Sequence, residues 1–379
     1  NSNILWAVLT GNSDTFLRSK LMQISVIARK TSPLCYLPNG KFVYYRKGKI
    51  YVYNNDRVER NISVITCWKE KILGKFKLAY RFLRLGIRTS IALNDEIVII
   101  SIGNYLYEVN LYSEMMSTGY KLDEHVRPLF FSEIKGIEGF EDGIYFGSYV
   151  GDLAKIPMHI YKREAENKWT VVYTFPDNAI DHVHNIIPDP YRQCLWIMTG
   201  DFGEAAALWK AEYGFSKVER ALSGNQKYRG CVGFALPEGL LYATDTPLDD
   251  NYIQLLRQDN TIEKILPIDG SCIYGCQWGK DFVFESTVEP NGIYKNQIDF
   301  LLKWKKGSGI KNNYTHLYVG NPADGFKVVY KLRKDWLPFC FKFAAFLFPA
   351  GENKTDTLYL QPIATDKHDL SLLKITREN

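Results

Sequence analysis

One pattern recurs along this 379-residue chain and limits what it can fold into: a short apolar run, then two more apolar runs joined by a tight turn. It is clearest from His182 to Tyr252, where HVHNIIPDPYRQCLWIMTGD is followed, after a bridge, by NQKYRGCVGFALPEGLLYATDTPLDDNY. In each copy a basic or imidazole residue opens the first run, and the last run ends in a polar cluster, TGD and then TDTP. Short apolar runs separated by turn residues are β-hairpins. Such hairpins begin near residues 41, 95, 142, 193, 239, 281 and 356, mostly 42 to 54 residues apart, with one interval of 75.

A period of that length with two clear central strands per unit marks a four-stranded blade. The expected fold is all-β: a seven-bladed β-propeller of four-stranded blades, forming one domain over residues 1–379. The runs ahead of the hairpins, such as LCYLP, RTSIAL, IKGIEGF, HVHNIIP and YRGCVGFA, become innermost strands, and KWTVVYTF (168–175) and TIEKILPI (261–268) become outer ones. IDFLLKWKKG (298–307) is expected to pair with the strand in KDFVFESTVEPNG (280–292), and KEKILGKFKLAYRFLRLGIR (Lys69–Arg88) to form a pair of solvated strand faces. The C-terminal unit is one strand short. An N-terminal strand, ILWAVLT (4–10), is expected to complete it, closing the ring and removing two exposed sheet edges.

Composition agrees with a large β core, since 46% of residues are hydrophobic and 14% aromatic. The 47 basic and 42 acidic residues are too balanced for a nucleic-acid footprint. No run reaches the ~18 apolar residues of a membrane span, so no membrane insertion is expected. The seven cysteines are odd in number and sit mostly in apolar runs, reading as small buried hydrophobes and favouring a reducing compartment, with localisation left open. A monomer is expected.

Three turns carry a further mark: IYKREAENKW (160–169), LWKAEYGFSK (208–217) and GNPADGFKVV (320–329) hold degenerate forms of S-x-D-x-G-x-x-W. They resemble the BNR/Asp-box propellers of the sialidase-like superfamily, and the HVHNIIPDPYRQCLWIMTGD, GNQKYRGC and LLYATDTPLDDNYI segments look like a group of bacterial propellers. The resemblance implies the fold rather than an activity. The arginine triad and the Tyr–Glu nucleophile pair of sialidases have no matching positions in this sequence.

In a blade, the start of the innermost strand and the end of the second strand converge on the channel mouth. Aligning the innermost strands places Arg88, Lys135, His184, Arg229 and Tyr274 at one height, with Lys342 a looser sixth. A ring of basic groups in a narrow mouth concentrates positive potential and favours an anion; the alternative is that these groups pair with acids between blades. Second-strand ends contribute Asn104, Tyr149, Asp201, Asp245, Thr246 and Glu285, with Asp249 and Asp250 behind. Arginines that fork to an anion beside carboxylates that accept from hydroxyls suit an acidic oligosaccharide or polysaccharide. In the H-x-H sequence, His182 and His184 share one strand face and suit either a metal or a base with its orienting partner. The spacing signals no further ligand, so no metal or cofactor is expected. Two chemistries are open. Elimination from a uronic acid would use His184, Arg229 and Tyr228 or Tyr274, and glycoside hydrolysis would use Asp201 and Asp245. The competing function is a non-catalytic protein-interaction scaffold, which a large exposed apolar patch away from the channel would favour.

Overall fold

The computed structural model describes residues 22–64, 68–124, 126–149, 156–292, 294 and 296–377. Seven antiparallel sheets of four strands each make up a seven-bladed propeller. Blades 1 to 6 occupy 32–63, 90–121, 132–174, 182–223, 230–268 and 275–333, with the four strands of each pairing in chain order. Middle strands are covered on both faces by adjacent blades, so Cys194–Gly200 is buried along its whole length and reads as a continuous apolar run. Fourth strands such as Arg57–Ser63 lie at the rim and are mostly exposed.

Blade 7 takes Ala345–Leu347, Thr357–Ile363 and Ser371–Arg377 from the C-terminus and Met22–Arg29 from the N-terminus as its outermost strand. The register runs from Met22 opposite Arg377 to Arg29 opposite Ser371, with a bulge at Ile27. Ring closure by an N-terminal strand therefore holds, and the segment that does it is 22–29; ILWAVLT lies outside the described residues, as do Cys67 and His125. Across the closing seam the rings of Phe42 and Tyr359 stack at 4.3 Å between blades 1 and 7.

Three expectations about local structure fail, the first being IKGIEGF as an innermost strand, since that strand of blade 3 is Ser132–Ile134. The basic stretch before Arg88 forms two short helices, α1 (Trp68–Leu73) and α2 (Lys77–Phe82), instead of strands. The reason lies in Arg81, which is fully buried: it donates to the Phe341 carbonyl at 2.6 Å and pairs with Asp335 and Asp369. Helical spacing also brings Lys77 to 2.6 Å from Asp369. In blade 6 the strand Asp281–Glu285 pairs with Tyr314–Asn321, and the intervening IDFLLKWKKG begins as helix α3 (Gln297–Leu301), capped by the Asn296 side chain on the Asp299 amide at 2.9 Å. The three degenerate boxes all fall at turns between third and fourth strands, in blades 3, 4 and 6. Cys35, Cys194, Cys231, Cys272, Cys276 and Cys340 are buried and unbridged.

Candidate functional site

A cavity of about 1620 Å³ opens at the end of the channel where innermost strands start and second strands finish. It gathers Arg88, Tyr149, His182, His184, Asp201, Arg229, Asp245, Tyr274 and Lys342 from the residues expected at the mouth. Lys135 and Tyr228 are absent from it. Lys135 lies just past the far end of the innermost strand Ser132–Ile134, and the blade-3 residue at the mouth is Arg127, whose backbone bridges to Tyr149. Tyr228 ends a 3₁₀ turn and packs against a core cluster between blades 4 and 5. Asn104, Thr246, Asp249, Asp250 and Glu285 also lie outside the cavity lining.

The densest chemistry comes from blades 4 and 5. His184 is an extra residue in its strand, a bulge between the pairs Val183–Thr199 and Asn185–Met198, and Cys231 is bulged at the matching place in blade 5. A bulge re-aims the side chain that it carries. His184 Nδ1 lies 2.9 Å from the Gly230 carbonyl, which only accepts, so that nitrogen carries the proton and Nε2 presents a lone pair. His182 Nε2 stands 2.9 Å from His184 Nε2, and Asp201 Oδ1 is 3.3 Å from each. Gly200 allows this arrangement, because a Cβ there would come within 2.3 Å of the His184 ring. The TGD cluster thus has one task per residue: the Thr199 hydroxyl donates to the Ala205 carbonyl at 2.7 Å, Gly200 makes room, and Asp201 faces the imidazoles.

Arg229 joins the second cluster to the first. Its Nη2 is 3.0 Å from Asp201 Oδ1 and its Nε 3.3 Å from Asp245 Oδ2, with the guanidinium over the Phe202 ring. Burial opposes charge on Asp201, but Arg229 and the two histidines outweigh it and hold the carboxyl well below its ordinary range. Burial pushes His182 down, leaving it neutral near pH 7. Glu289, reaching in from the segment after the second strand of blade 6, is buried beside Asp245 and is pushed up to about 8, so it holds a proton at neutral pH.

The cavity also gathers cations. Arg84, Arg88, Arg127 and Lys342 all line it. Arg88 is reached by solvent inside the cavity yet ringed by protein, and burial together with Arg127 and Arg84 lowers it to about 10. Burial and the neighbouring arginines bring Lys342 down to about 7. For Arg88 and Lys342, burial and the neighbouring cations both disfavour the charged form. Tyr274 is pushed up to about 12 by burial and by Glu285, which keeps its hydroxyl a donor.

Sequence reasoning missed Arg84, Arg127 and Glu289. Arg127 has a signal in the sequence, since HVRPLFFSEI repeats the opening of HVHNIIP, but the hairpin spacing favours IKGIEGF as the innermost strand. Glu289 lies past the end of its strand Asp281–Glu285 and Arg84 just after helix α2, so neither holds the strand-end position that the repeat marks.

No family model matches the chain, and no curated protein matches its sequence. Among solved structures it is similar to an oligogalacturonate lyase in complex with manganese, at 11% identity and a TM-score of 0.59, covering 95% of this chain and 94% of that one. A β-propeller domain from Myceliophteria thermophila matches at 8% identity and a TM-score of 0.53, over 92% of this chain and 97% of that one. A chain of a mitotic checkpoint complex matches at 11% identity and a TM-score of 0.52, over 98% of this chain and 100% of that one. At such identities the likeness is one of fold, and the fold is the β-propeller.

Proposed function

We propose that the cavity binds an acidic oligosaccharide and that the chain is a carbohydrate-active propeller working by elimination. The observation that carries this reading is that Arg84, Arg88, Arg127 and Lys342 line one cavity together with the His182–His184–Asp201–Arg229 cluster. The cations hold carboxylates, and the buried acids accept from sugar hydroxyls. A volume of about 1620 Å³ exceeds the ~300–1,000 Å³ of a small-ligand site, giving room for several sugar rings. Elimination needs a uronate carboxylate neutralised and the proton on the neighbouring carbon removed, and the cluster around Arg229 combines a fixed cation with nitrogen and oxygen bases. The structural neighbour named as an oligogalacturonate lyase fits this reading. Hydrolysis by Asp201 and Asp245 is less well supported, because both carboxylates are engaged by Arg229.

The test is a panel of acidic oligosaccharides scored for binding and for the ultraviolet absorbance of unsaturated products. Binding without product would leave a lectin-like role. No binding to any acidic member would end the saccharide reading.

One observation favours the scaffold instead. Helices α1, α2 and α3 expose Ile72, Leu78, Phe82, Ile298 and Leu301, Phe76 is exposed just before α2, and Trp304 and Trp336, joined by a hydrogen bond, are exposed after α3. So many exposed apolar side chains on neighbouring segments are more than solitary surface apolars require. A protein partner bound through these residues, with no saccharide bound, would establish that function.

A further inference from the structure

We propose that Nε2 of His182, Nε2 of His184 and Oδ1 of Asp201 form a binding site for a first-row divalent metal ion. The inference goes beyond the saccharide reading and does not rest on it.

The three atoms form a triangle with edges of 2.9, 3.3 and 3.3 Å. Ligands bonded to one ion at ~2.0–2.2 Å stand about 3.0 Å apart at right angles and about 3.4 Å apart at tetrahedral angles. The triangle matches that spacing on every edge. Two imidazoles and one carboxylate are the donor set of first-row ions such as zinc, cobalt, iron or manganese.

The orientation of the donors is fixed from behind. His184 gives its Nδ1 proton to the Gly230 carbonyl, the arrangement that aims a lone pair on Nε2 at a metal. The His182 ring packs against Tyr149 at 4.4 Å between centroids, and the Asp201 amide donates to Asp181 at 2.9 Å. Two carboxylates, Asp201 and Asp245, pair directly with the one guanidinium of Arg229, and Asp245 Oδ1 is buried without a hydrogen-bond partner. A carboxylate oxygen has two lone pairs, so Asp201 Oδ1 can serve Arg229 and an ion together. All three ligands line the cavity, so an ion there would act as a Lewis acid towards a carboxylate or hydroxyl bound in it. Both Nε2 lone pairs are then occupied, so in the metal-loaded protein an elimination would draw on a base of the cavity other than these imidazoles.

The test uses the metals alone, on metal-stripped full-length protein without saccharide. Cobalt(II) is followed by its visible bands and manganese(II) by loss of the free-ion electron paramagnetic resonance signal. The expected result is saturable uptake of one equivalent. His184→Gln, His182→Gln and Asp201→Asn should each weaken it at least tenfold, the loss seen even for groups behind metal ligands. His159→Gln, changed outside the cavity, should leave it unaltered. If a variant fails to fold, histidine-labelled wild-type protein decides: manganese should broaden the ring signals of two of the six histidines and spare the rest. No saturable uptake, uptake unchanged in a folded His184→Gln protein, or uniform broadening would overturn the proposal. Saccharide binding by the stripped protein is measured separately, so failure of the metal site would not be mistaken for failure of the saccharide reading.

Discussion

At the residue scale the cavity depends on a few side chains held away from their ordinary states. Lys342, lowered to about 7 by burial and then by neighbouring arginines, is only partly charged at neutral pH, and a bound anion favours its charged form. Binding of an acidic saccharide should therefore take up a proton. Affinity should fall as pH rises from about 6 to 7.5, and Lys342→Met should remove most of that slope in calorimetric titrations. Gly200 tests the histidine cluster. Gly200→Ala places a methyl within 2.5 Å of His184 Nε2. We expect the ring to be displaced, stability to drop by about 1–3 kcal/mol, and metal uptake and turnover to be lost together. A variant that melts lower but keeps both would show that the ring position is immaterial. The TGD and TDTP clusters were legible because each closes a repeated strand, whereas Gly200's role was invisible until His184 was found in a bulge over it.

At the scale of elements, hairpin periodicity carried most of the fold, since a strand covered on both sides must be apolar and its turn must be polar. It failed where chain was inserted between strands. The residues between Glu285 and Tyr314 delay the third strand of blade 6, and no sequence period reports an insertion of that kind. In α1 and α2 the alternation of lysine and apolar residues fits a strand and a short helix equally, and the decisive contact, Arg81 with Asp335 and Asp369, joins positions some 254 and 288 residues apart. The Met22–Arg29 strand carries its own prediction. Deleting the chain through Arg29 uncovers the edge of Ser371–Arg377 and the apolar residues behind it. The truncated protein should melt at a clearly lower temperature and aggregate by light scattering. Unchanged melting as a monomer would mean that this strand does not secure the ring.

For the whole molecule, one cavity gathers both signs of charge, with Arg84, Arg88, Arg127 and Lys342 from the linkers and blade ends and buried acids from blades 4 to 6. Buried acids also set the pH dependence of stability. Glu285 is pushed up to about 8 by burial, against the hydrogen bond from Thr287 and those from the backbone. Its folded value lies above its unfolded one, so the folded state binds more protons between the two. Its contribution is whole below the unfolded value and declines as pH rises towards about 8. Thermal melts should show stability falling over that window and a shallower fall in Glu285→Gln. The central claim is that the cations of the cavity select acidic saccharides. It is tested most directly by calorimetric titration of an acidic oligosaccharide and a neutral one of equal length into wild-type and Arg88→Ala proteins, at low and high salt. The expected result is binding of the acidic ligand alone, weakened by salt and reduced about tenfold, or ~1.4 kcal/mol, in Arg88→Ala. Equal binding of the two ligands, or an acidic ligand held as tightly by Arg88→Ala as by the wild type, would contradict it.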